Sequence, residues 1–218
     1  MTTRKNITRR TLLKLSLFTA TTSCVARAYS ATPPQTQGPF YPLKDQADKD
    51  LDLTQIKGNP KKAEGTIIQV AGKILDENGA PVADAQVEIW QANARGRYAH
   101  ERDKNPAPLD PNFQGWGQIQ STTDGAYLFT TILPGAYPAA SDWVRPPHIH
   151  FKIKKTGFRE LTTQMYFPEH PLNGVDQILQ ALPKNEQTLL IATRVDLQKN
   201  HKSSATEGFL FNIILRKL

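Results

Sequence analysis

The stretch Arg145-Pro146-Pro147-His148-Ile149-His150-Phe151-Lys152-Ile153 carries the sharpest chemical signal in the chain. Successive side chains of a strand point to opposite faces, so Ile149, Phe151 and Ile153 would enter a core together. His148 and His150 then share the other face, about 7 Å apart along the strand, within reach of one metal ion. The same pattern also occurs on solvated strand faces, so a metal reading needs further donors. The chain has one cysteine, Cys24, which leaves oxygen ligands. The carboxylates near the pair are Asp142, Glu160 and Glu169. Two tyrosines stand in unusual contexts: Tyr98 in Gly96-Arg97-Tyr98, in a loop just after a strand, and Tyr137 in Pro134-Gly135-Ala136-Tyr137-Pro138, in a turn before the histidine strand. Tyrosine ordinarily packs with its hydroxyl at the surface. As a ligand it must be a phenolate, and because phenol titrates near about pH 10, that calls for a strongly Lewis-acidic ion, for which Fe(III) is the candidate.

The elements that would hold these residues read as strands. Ile67 to Leu75 is apolar and β-branched and ends in the turn Asp76-Glu77-Asn78-Gly79. Ala85 to Trp90 alternates Val87 and Ile89 against Gln86 and Glu88. Thr123-Asp124-Gly125 introduces Ala126 to Ile132, which closes at Pro134-Gly135. Further runs are Ile149 to Ile153, Leu161 to Tyr166, Leu189 to Leu197 and Gly208 to Leu215; the one helical candidate of any length is Val175 to Leu182. Short strands joined by Asn-Gly and Asp-Gly turns predict an all-β chain, an antiparallel β-sandwich with long loops and very little helix. Residues 29–218 form one domain, of which 29–65, rich in Pro and Gly and without apolar period, is an extended N-terminal arm over the body.

Charge and the N-terminus belong together. The 218 residues carry 27 Lys+Arg against 20 Asp+Glu, a formal +7 that would ordinarily argue for a polyanionic partner. Six of those basic residues and none of the acidic ones lie in 1–28, so the remainder is close to +1. That segment has a basic start, an apolar stretch from Leu12 to Ala20 and the small-x-small triplet Ala26-Arg27-Ala28, the parts of an export signal. Thr8-Arg9-Arg10-Thr11-Leu12-Leu13-Lys14 resembles the twin-arginine address, which implies a protein exported already folded to the periplasm or beyond. Thr21-Thr22-Ser23 makes a poor lipoprotein box before Cys24, so lipid anchoring is the lesser alternative. Without the signal the case for nucleic acid disappears, and no apolar run is long enough to span a bilayer.

From Gly72 to Asp176 the chain closely resembles the intradiol ring-cleavage dioxygenases, above all the iron-bearing subunit of protocatechuate 3,4-dioxygenase. The matching pieces are GPFYP (38–42), GKILDENGAPVADAQVEIWQANARGRYAH (72–100), APLDPNF (107–113), DGAYLFTTILPGAYP (124–138), RPPHIHF (145–151) and LTTQMYFPEHPL (161–172), in family order. The resemblance implies a non-haem Fe(III) held by Tyr98, Tyr137, His148 and His150, with Tyr137 the ligand that substrate displaces. It implies a catalytic Arg145 near the substrate ring and a Gln164 close to the iron, while Trp90 reads as core. The implied reaction inserts both atoms of O2 into a catechol and opens the ring between the hydroxylated carbons.

Departures from the family concern substrate and assembly. The segment Pro138 to Val144 looks about two residues short, and Ala139 stands where an aromatic residue would be expected. The helical dimerisation segment of catechol 1,2-dioxygenases is missing, so a homo-oligomer, or a partner subunit, would use another surface. Residues 72–132 taken alone also fit a prealbumin-like or adhesion module that only binds. Both tyrosines and both histidines at family spacing separate the two readings, and a Zn or Cu binder using the histidines alone would leave the tyrosines unexplained.

Overall fold

The computed structural model describes residues 28–46, 48–197 and 205–218; apart from Ala28, the export segment with Cys24 lies outside the described residues. Two sheets carry the fold. In the first, β1 (Ile67–Asp76) pairs antiparallel with β4 (Ala126–Ile132) along one edge. Its other edge takes β10 (Glu207–Leu210) and then β11 (Ile213–Leu215), both parallel to it, and β10 pairs antiparallel with β9 (Thr193–Val195). The second sheet is wholly antiparallel, in the order β3 (Trp116–Gln120), β2 (Gln86–Trp90), β7 (His148–Lys154), β8 (Leu161–Tyr166). A hairpin of β5 (Tyr137–Ala140) and β6 (Trp143–Arg145) stands apart from both. The all-β sandwich is as expected, with two parallel pairings at its C-terminal end.

The alternation read from the sequence decides what the second sheet buries. Val87, Ile89, Ile149, Phe151 and Ile153 meet Ile68, Val70, Ile74, Phe129 and Phe209 from the first sheet in one continuous core. Each such side chain contributes roughly 1.5–3 kcal/mol when fully buried. Phe151 and Phe129 make an edge contact at 6.1 Å between ring centres. The register then lines up the opposite face: Trp90 stands beside His150, His150 beside Gln164, and His148 beside Tyr166. This second face is not solvated.

Several expectations need correction. The helical run shrinks to α1 (Gln177–Gln180), N-capped by Asp176, followed by α2 (Lys184–Gln187). The strand read over 189–197 is only β9, after a 3-10 turn at Thr188–Leu190. The run from Gly208 is broken between β10 and β11 at Phe211-Asn212, where the Asn212 amide oxygen accepts from Lys73 N at 2.9 Å. Tyr137 opens a strand rather than lying in a turn. Among the described residues, no helix is long and apolar enough to cross a membrane.

The arm is tied to the second sheet along β8. Gln35 N donates to Thr162 O at 2.8 Å, and Thr163 Oγ1 donates to Pro33 O at 2.7 Å. Thr32 exchanges two hydrogen bonds with Ile214. From there the arm runs to the buried second face, where Phe40 packs 4.7 Å from the Tyr98 ring.

Candidate metal centre

The four proposed ligands come from three places in the chain and meet on that buried face. His148 and His150 rise from β7 with ring centres 4.9 Å apart. Tyr137 is the first residue of β5, with its ring 5.6 Å from His148. Tyr98 lies in the loop after β2, edge-on to Tyr137 at 5.6 Å, and its hydroxyl is 3.3 Å from His148 Nε2. All four are buried.

Local backbone chemistry sets the tyrosines. Asn93 ties the two loops: its side-chain oxygen accepts from Arg95 N and Arg97 N, and its carbonyl accepts from both Gly96 N and Gly135 N. The loops cross at those glycines so closely that a Cβ on Gly96 would lie 2.2 Å from Ala136 O, one residue before Tyr137. Asp103 Oδ2 accepts from Tyr98 N at 2.7 Å and fixes the start of that side chain.

The histidines are prepared as neutral donors. His148 Nδ1 is 2.7 Å from Pro146 O; a carbonyl only accepts, so Nδ1 carries the hydrogen and Nε2 is left with its lone pair toward Tyr98. Such a backbone partner is what orients a ligating imidazole. His150 stacks on Trp90 at 4.7 Å with 9° between the planes, and its Nδ1 is buried with no protein partner. Burial, with the Arg145 charge second, pushes both imidazoles well below their usual range. Burial likewise raises Tyr98 well above the phenol range, with Tyr137 adding to it; burial raises Tyr137 too, against the lowering pull of Arg145. The protein alone therefore holds both as phenols, and only a strongly Lewis-acidic cation makes them phenolates.

Two imidazoles and two phenols are a donor set that fits Fe(III). Among the described residues no three His, Cys, Asp or Glu side chains gather in one place. The carboxylates considered from sequence, Asp142, Glu160 and Glu169, are all exposed. The phenols of Tyr98 and Tyr137 stand beside the two imidazoles as further oxygen donors.

Arg145 ends β6 and is the register partner of Tyr137 across the hairpin. Its Nε and Nη2 make a two-pronged bond to Asp176 at 3.1 and 3.0 Å. Nη2 also lies 2.9 Å from Gln164 Oε1 and 3.0 Å from the Tyr166 hydroxyl, while Nη1 donates to His148 Nε2 at 3.1 Å. Gln164 is held in turn by the arm, its Nε2 donating to Thr36 O at 3.0 Å. A cavity of about 580 Å3 opens over Tyr137, Arg145 and His150, walled by Phe40, Ala139 and Trp143.

Residues 36–217 match the family model described as Dioxygenase. The chain is also 43% identical over 182 residues to the protocatechuate 3,4-dioxygenase beta chain of Burkholderia cepacia, covering 82% of this chain and 76% of that one. The chain belongs to the intradiol dioxygenase family. Other members are less similar: hydroxyquinol 1,2-dioxygenase of a Rhizobium species at 29% over 163 residues, and catechol 1,2-dioxygenase 1 of Acinetobacter lwoffii at 30% over 154. These matches cover 68% and 65% of this chain, and 53% and 48%, about half, of those relatives. The fold agrees with 3-chlorocatechol 1,2-dioxygenase of Rhodococcus opacus 1CP at a TM-score of 0.65 and 23% identity, over 89% of this chain and 74% of that one. It agrees too with the dioxygenase domain of a carbohydrate-binding fusion from a Streptomyces species, at 0.62 and 24%, over 87% and 100%.

Of the residues singled out from sequence, Tyr98, Tyr137, Arg145, His148, His150 and Gln164 are all brought together on this buried face. Asp176, Tyr166 and Phe40 join them and were not anticipated as site residues. Asp176 falls inside the helical run expected over Val175 to Leu182; in the structure it is the N-cap of α1, its side chain accepting from Leu179 N.

Proposed function

We propose that this intradiol dioxygenase uses a non-haem Fe(III) held by Tyr98, Tyr137, His148 and His150 to cleave a catechol between its two hydroxylated carbons. The observation that carries the reading is the meeting of two buried phenols and two buried, neutral imidazoles beside a cavity large enough for one ring. Bound there, Fe(III) supplies the Lewis acidity that deprotonates a catechol and makes its ring reactive toward O2.

The chain's own residues account for the rest. Both catechol protons must leave: Tyr137, which reaches the cavity and would be a phenolate with the metal bound, would take one at its phenolic oxygen, and a hydroxide from solvent would take the other and leave as water. Tyr98, packed under Phe40, and the two histidines stay. Arg145 places its N–H groups beside the metal face, where negative charge develops on the ring and the added oxygen. Phe40, Trp143 and the arm wall the cavity and restrict water. The product, a cis,cis-muconate-type diacid, contains all the atoms of the catechol and both atoms of O2.

An adhesion-type module would have no use for a buried arginine–carboxylate pair beside two tyrosines and two histidines brought together. The test is O2 uptake by the iron-loaded protein with catechol, protocatechuate and hydroxyquinol. At least one substrate is expected to consume one O2 per ring, with both atoms recovered in a ring-opened diacid. No uptake with any of the three would contradict the proposal.

A further inference from the structure

We propose that Asp176 is a positioning residue for this reaction, acting through Arg145. The inference rests on the function proposed above. Asp176 is wholly buried and so is the arginine it faces, with side-chain exposures of 0% and 4%. A two-pronged carboxylate–guanidinium bond fixes the plane of the guanidinium as well as its place. With Nε and Nη2 committed to Asp176, the remaining nitrogen, Nη1, is directed at the metal face, 3.1 Å from His148 Nε2. Asp176 cannot swing away, because its Oδ2 also accepts from Leu179 N at 3.2 Å at the start of α1. Tyr166, whose hydroxyl lies 3.2 Å from the same oxygen and 2.9 Å from Gln35 Oε1, closes the remaining side.

The pairing also sets the charge that the site feels. An unpaired buried guanidinium is costly and would lean harder on its other acceptors, Gln164 Oε1, the Tyr166 hydroxyl and His148 Nε2. Paired with Asp176 it acts chiefly as a directed donor, aimed at the metal face where charge appears during reaction. A carboxylate that merely capped α1 would leave Arg145 indifferent to its loss.

A double-mutant cycle on the iron-loaded protein separates these roles: Asp176→Asn, Arg145→Gln and both together. D176N is expected to keep its iron and to bind catechol anaerobically within about 2-fold of the parent. Its turnover with O2 is expected to fall about 10-fold or more. The double variant is expected to be no slower than R145Q, since Asp176 has nothing left to position. Losses that multiply in the double variant, or a D176N turnover within about 2-fold of the parent, would overturn the proposal. Should D176N fail to fold, Arg145→Lys serves instead: it keeps the charge, loses the fork, and is expected to show the same loss of turnover with iron retained, whereas parental turnover would overturn the proposal. If the parent itself cleaves no catechol, the functional reading fails separately. A crystal structure of D176N then decides the positioning: a displaced guanidinium upholds it and an unmoved one refutes it.

Discussion

His150→Ala is expected to lose its iron and to lower ring cleavage by more than about 100-fold. Changing a residue that only orients a ligand typically costs 10–100-fold in metal affinity or activity, so removing a ligand outright should exceed about 100-fold. His150 has no substitute: among the described residues no carboxylate or thiol stands with His148 to take its place. The loss should be local, because Ile149 and Phe151, which anchor β7 in the core, point the other way. Metal analysis beside far-ultraviolet circular dichroism checks this. An alanine variant that retains stoichiometric iron and turns over would show that His150 is no ligand.

Gly96→Ala is expected to damage the same centre without replacing a ligand. Gly96 has φ +77°, and an added Cβ would lie 2.2 Å from Ala136 O and 3.1 Å from the Tyr137 Cβ. The backbone conformation alone costs a non-glycine residue roughly 1–3 kcal/mol. The clash is with backbone, so relief requires the Tyr137 loop to move off the Tyr98 loop. Gly157→Ala is the control, since Gly157 has φ +84° but nothing within 4 Å of its added Cβ. Both variants should melt lower, by about 2–4 °C per kcal/mol in a chain of this size. Only G96A should also lose iron. Equal melting temperatures and equal iron contents in the two variants would contradict the crossing as the device that sets the tyrosine pair.

Much of this could be read from side-chain alternation. Ile149, Phe151 and Ile153 had to share a face, so His148 and His150 had to share the other. What alternation cannot supply is the other wall of the site. Tyr137 and Arg145 become neighbours only through the register of β5 with β6, and Pro138 and Ala139 hide β5 by lacking the β-branched residues that mark a strand. β3 carries no strand pattern in the sequence because Gly117 and Gln118 interrupt its apolar residues. Asp176 lies 31 residues beyond Arg145, and their pairing depends on how the chain returns after β8, which local pattern does not encode. The parallel placement of β10 and β11 is likewise a matter of long-range topology.

The central claim is that two phenolates and two imidazoles hold one Fe(III), and the visible spectrum of the iron-loaded protein tests it most directly. Tyrosinate bound to Fe(III) gives a strong charge-transfer band, so the protein should be wine-red with one iron per chain and should change colour when catechol is added without O2. A protein that takes up no iron, or that holds it without a visible tyrosinate band, would contradict the claim.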